Sequence, residues 1–156
     1  VGIRTAGEKA EVSRVFITAA LALGTIAGAL LVGGYASAGG DPPSQTPTYT
    51  TAQAARGSET YTKTCFVCHG ANLDDGQFAS PLKGPAFRQK WGGQGLDALF
   101  TIMTTQMPPD NPGGLGAATY ADVLAFILSK NNVAPSPDRE LPADMDALKG
   151  MLTPQE

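Results

Sequence analysis

The chain has 156 residues, which suits one ordinary domain with extensions rather than two full domains. Only 16% of the residues are charged, and a formal net charge of −3 offers no basic field to draw in nucleic acid. Two Cys and one His exclude a four-ligand zinc site built from Cys and His alone, and they exclude a scaffold stapled by several disulfides.

Residues 1–14 carry Arg4, Lys9 and Arg14 and precede an Ala- and Gly-rich apolar run over 15–35 that holds no charge. Twenty helical residues span about 30 Å, the hydrocarbon thickness of a bilayer. The basic residues lie on the N-terminal side, so the positive-inside rule makes 1–14 a cytoplasmic segment and 15–35 a single-pass anchor in the cytoplasmic (inner) membrane. Everything after Tyr35 is then expected on the periplasmic or outer side. The alternative is a secretory signal, with Ala36-Ser37-Ala38 as a small-x-small cleavage pattern. The apolar run is longer than a usual signal core, which favours the anchor. Gly24 and Gly28 form a weak GxxxG pair. Residues 36–50 are rich in Gly, Pro, Ser and Thr and read as a flexible linker.

Three helical segments and almost no strand pattern follow. The first covers about 51–63, with Thr50 and Gln53 at capping-box spacing. The second covers about 96–105, where Leu96, Leu99, Phe100 and Met103 form one apolar face at i, i+3, i+4 and i+7. The third covers about 120–130, with Thr119 as N-cap and Tyr120, Val123, Leu124, Ile127 and Leu128 as the buried stripe. Residues 70–95 are punctuated by Gly and Pro and read as irregular. Residues 133–156 read as a polar tail with a short helical turn near 143–151. A unit spanning 51–132 supplies little core of its own and usually requires a staple.

The candidate staple is Cys65-Phe66-Val67-Cys68-His69, the C-x-x-C-H pattern of c-type haem attachment. Two thiols on one helical turn can add to the two vinyl groups of a single haem. The adjacent His then lies under the iron and supplies an axial nitrogen. The competing readings are weaker. A thioredoxin-like redox pair needs a βαβ context, a zinc site needs further ligands, and a disulfide would close a trivially short loop.

His69 is the only imidazole, so bis-histidine ligation within the chain is impossible. The opposite axial position falls to Met, to another weaker donor, or stays open. Of Met103, Met107, Met145 and Met151, Met107 stands before Pro108-Pro109, and two prolines stiffen the backbone into an extended strap suited to presenting a thioether. Met103 fits core packing, and Met145 and Met151 fall in the tail. His69 and Met107 are therefore the expected metal ligands.

Taken with Gly84-Pro85-Ala86-Phe87, Trp91-Gly92-Gly93, Met107-Pro108-Pro109 and Tyr120-Ala121-Asp122, residues 51–132 resemble a class I c-type cytochrome, monohaem and His/Met-ligated, of the membrane-anchored bacterial type. The resemblance implies a mainly α fold, a small cytochrome c domain of about three helices around one covalent haem c, here preceded by the N-terminal transmembrane helix. It also implies that the Pro85 carbonyl accepts from His69 Nδ1–H, that Trp91 meets a haem propionate, and that Gly57 and Tyr61 on the first helix meet Phe126 on the last. Arg88 and Lys90 are candidates for propionate contacts or plain surface charge.

With both axial positions filled, no small-molecule substrate reaches the iron, and the expected role is a one-electron carrier rather than an enzyme. The expected partners are redox proteins in or at the membrane of a respiratory or photosynthetic chain: a quinol-oxidising complex or dehydrogenase as donor, a terminal oxidase or photosynthetic reaction centre as acceptor. The alternatives are a permanent haem subunit of such a complex, a freely soluble periplasmic cytochrome after signal cleavage, and an enzyme or gas sensor with an open iron.

Overall fold

A computed structural model describes residues 46–155. Its helices are α1 (Thr51–Thr64), α2 (Phe66–His69), α3 (Gly84–Trp91), α4 (Leu96–Gln106), α5 (Ala117–Lys130) and α6 (Met145–Lys149). Among the described residues no helix is long and apolar enough to cross a membrane. The expected anchor over 15–35, its cytoplasmic flank and most of the linker lie outside the described residues.

α1 begins where the Thr50 hydroxyl accepts the Gln53 backbone N–H at 3.1 Å, and Lys63 complements the carbonyl end in its last turn. Only half of the expected capping box forms. The Gln53 side chain turns away from the helix start and pairs with the backbone of Leu141, donating to its carbonyl at 2.9 Å and accepting its N–H at 2.7 Å. α5 starts at Ala117 with Gly116 as N-cap, three residues before the expected start after Thr119. Gly116 has φ +79°, the left-handed region where a side chain is disfavoured, so the chain turns into the helix there.

α1 and α5 form the main helix pair. They cross closely because Gly57 lacks a side chain: a Cβ there would overlap the Asp122 carbonyl. Arg56 clamps the crossing by a bidentate pair with the Asp122 carboxylate, both bonds 2.9 Å, and also donates to Glu140 at 2.9 Å. Tyr61 and Phe126 stack tilted at 52° with ring centroids 5.3 Å apart. α5 is buried on most of its surface, from Tyr120 through Leu128, and forms the central wall of the core.

Two segments read from sequence as irregular or as a tail are ordered, and the helical turn expected near 143–151 is α6. Gly84-Pro85 does not break the chain but opens α3, with Pro in the first turn where its missing N–H costs nothing. Phe87 and Trp91, four residues apart, bury one face of that helix. The residues after α5 wrap back over the domain rather than trailing from it. Leu141, Leu148, Met151 and Thr153 are buried. Thr153 exchanges backbone hydrogen bonds with Gly93 and Gln94, and Leu96 N–H donates to Met151, so this segment caps the end of α3 and the start of α4. On the other side Tyr49, at the end of the expected linker, is buried; its hydroxyl donates to the Val133 carbonyl, and its own carbonyl accepts from Ser136.

Candidate haem site

A cavity of about 350 Å³ opens inside the helical frame. Cys65 lines it from the junction of α1 and α2, Cys68 and His69 line it from α2, and Met107, Pro108 and Pro109 line it from the strap after α4. The remaining lining is mainly apolar, including Leu99, Ile102 and Met103 of α4 and Val123 and Ile127 of α5. The three motif residues converge because Cys65 ends α1 and starts α2. Its carbonyl accepts from both Cys68 and His69 N–H, at 3.2 and 3.0 Å, which tightens the turn and brings the two thiols onto one side. Tyr61 fixes this turn from above, donating its hydroxyl to the Gly70 carbonyl at 2.7 Å.

His69 Nδ1 lies 3.0 Å from the Ser80 carbonyl. A carbonyl only accepts, so Nδ1 carries the proton and Nε2 keeps its lone pair. Burial pushes the imidazole below its ordinary pKa, against the opposing effect of the Ser80 bond, so the ring is a neutral donor at neutral pH. This corrects the expected partner, Pro85. Pro85 is exposed in the first turn of α3, where carbonyls align along the helix axis towards its own N–H groups. The responsible signal is the earlier Ser80-Pro81 pair, since a residue before proline is held extended and presents its carbonyl outward.

Met107 follows α4 in extended conformation, φ −120° and ψ 146°, as expected for a strap. The Tyr120 hydroxyl donates to the Met107 carbonyl at 2.5 Å, and Gly113 N–H donates to it at 3.3 Å. Sequence reasoning missed this role for Tyr120, which lies on the buried stripe of α5 and looks like simple core. Met103 is buried in the core and also reaches the cavity. Trp91 is buried and lines the cavity beside Lys90, whose ammonium lies 5.0 Å over the indole ring. Of the two candidate cations, Lys90 lines the cavity and Arg88 does not.

These residues fit a haem. Two free thiols, a neutral imidazole whose Nε2 has no hydrogen-bond partner among the described residues, a thioether and an apolar cradle meet in one space, with the Lys90 ammonium at its wall. Such a combination defines a c-type cytochrome domain. Residues 52–127 match the family model described as cytochrome c oxidase, cbb3-type, subunit III, which indicates a c-type cytochrome domain over these residues. No curated protein and no solved structure matches the chain. The domain binds haem c covalently, and Cys65 and Cys68 are the only cysteines available to hold it. Its activity is electron transfer.

Proposed function

We propose that this protein is a monohaem electron carrier tethered at the outer face of the cytoplasmic membrane. In this reading it moves single electrons from a quinol-oxidising complex or dehydrogenase to an acceptor such as a terminal oxidase or photosynthetic reaction centre. The observation that carries the reading is the shared cavity, lined by both thiols, His69 and the Met107 strap. Haem held by an imidazole nitrogen and a thioether supplies a reversible one-electron couple with no open coordination position. His69 presents Nε2 as the nitrogen ligand, oriented through its Nδ1 bond to Ser80. Met107 presents the thioether, and Pro108 and Pro109 line the cavity beside it. Trp91 and Lys90 suit the propionate side, one as an N–H donor and the other as a countercharge. The tether is supported by the apolar run over 15–35 and the basic residues before it; tethering raises the effective concentration near a membrane partner.

A second reading, a permanent haem subunit of a larger complex, is favoured by the family description, which names a subunit of an oxidase. Extraction in mild detergent separates the two: a carrier leaves the membrane alone, whereas a subunit copurifies with its complex. The ligand assignment is tested on the holoprotein. Ferric protein is expected to show a sulfur-to-iron charge-transfer band in the red, and ferrous protein to refuse carbon monoxide. Met107→Ala is expected to lose the band and admit the gas; an unaltered spectrum in that variant refutes the reading.

A further inference from the structure

We infer that Asn131, outside the matched family segment, is a positioning residue for the axial imidazole, acting through the loop that carries Ser80. Asn131 caps the C-terminus of α5 and is only 3% exposed. A buried carboxamide is costly unless its donors and acceptor are satisfied. Here Nδ2 donates to the Ile127 carbonyl at 2.9 Å, which fixes the amide on the last turn of its own helix. Nδ2 also donates to the Leu82 carbonyl at 2.9 Å, and Oδ1 accepts the Gly84 N–H at 3.2 Å. These two bonds grip the loop from both sides of Lys83. The Leu82 N–H donates in turn to the Leu73 carbonyl at 2.7 Å, so Leu82 is held by both of its backbone polar groups.

Ser80 is separated from this fixed point by Pro81 alone, whose ring locks φ near −65°. Little freedom therefore remains between the Asn131 amide and the carbonyl that meets His69 Nδ1. Ile127, which anchors the amide, also lines the haem cavity. One helix thus sets both the cavity wall and the location of the imidazole's hydrogen-bond partner. Lengthening the hydrogen bond from Nδ1–H to the Ser80 carbonyl weakens the imidazole as a donor to iron, and a weaker donor disfavours the ferric state.

This inference rests on His69 being the axial ligand, and the test keeps the two failures apart. The holoproteins to compare are wild type, Asn131→Ala, Asn131→Ser and Ser129→Ala. Ser keeps a neutral polar group at the buried position, so it is the milder lesion. Ser129→Ala removes a bond of similar standing at the same helix end, from the Ser129 hydroxyl to the Phe126 carbonyl at 2.6 Å, without touching the loop.

Both Asn131 variants are expected to raise the ferrous-to-ferric ratio at a fixed ambient potential about tenfold, a shift of about 59 mV for one electron. They are expected to keep the charge-transfer band of the thioether and to speed solvent exchange of the His69 Nδ1 proton. Ser129→Ala is expected to change neither potential nor exchange. Unchanged potential and exchange in a folded Asn131 variant overturn the inference. Absence of the His/Met spectrum in wild type defeats the ligand assignment instead.

Discussion

Tyr120→Phe isolates what the fold contributes to the thioether side. The substitution keeps the buried ring and removes one hydroxyl, which donates to the Met107 carbonyl. A buried hydrogen bond contributes about 0.5–1.5 kcal/mol net, and leaving its partner orphaned costs about 1–3 kcal/mol. The Met107 carbonyl also accepts from Gly113 N–H at 3.3 Å, so it is not orphaned and the lower range applies, near 1 kcal/mol. If that energy holds the strap in its binding position, its loss favours displacement of the thioether by about fivefold, since about 1.4 kcal/mol corresponds to tenfold. The assay is titration of ferric holoprotein with imidazole, read as disappearance of the red charge-transfer band. The variant is expected to bind imidazole about fivefold more tightly and to lose about 1 kcal/mol of urea stability. Equal affinity in a folded variant refutes the assignment of Tyr120 to the strap.

Gln53→Ala leaves the buried N–H and carbonyl of Leu141 without partners and is expected to cost about 2–4 kcal/mol. Urea unfolding gives the loss, and protease cleavage confined to residues after 133 is its structural signature; a loss below about 0.5 kcal/mol contradicts the clamp. Burial, with smaller effects from Cys65, Asp75 and Asp74, pushes the Tyr61 phenol up to about 12 from an ordinary 10. Between those values the folded protein retains a proton that the unfolded chain has released, so the contribution of Tyr61 is intact below pH 10 and shrinks as pH rises towards 12. Urea midpoints in that window should fall more steeply for wild type than for Tyr61→Phe, and parallel slopes would show that the phenol is not shielded.

The periodic helices were legible in the sequence because their apolar spacing is a local property: Leu96, Leu99, Phe100 and Met103 on α4, and the Tyr120–Leu128 stripe on α5, are all buried. The motif Cys65–His69 and the strap at Met107 were legible because the chemistry demands those residue types at those spacings. α3 was hidden because Gly84 and Pro85 read as breakers, although Pro is at home in a first helical turn; Phe87 and Trp91 at i, i+4 were the available clue. The roles of Gln53, Tyr120 and Asn131 depend on partners far away in sequence, which no local pattern encodes. The segment after Val133 looked like a tail because its buried residues are widely spaced and much of its attachment is backbone to backbone.

The crossing of α1 and α5 joins residues 66 apart in sequence, Arg56 and Asp122. Contacts of that span form late, since a long stretch of chain must be closed before they repay its lost entropy. Cys65 sits inside the stretch so closed, and in the finished fold burial and the neighbouring Cys68 push its thiol up to about 11. A thiol that stays protonated at neutral pH is a poor nucleophile. Bonding of this sulfur to carbon is therefore favoured while the nascent polypeptide is still unfurled, before the last long helix swings across and shuts the workplace.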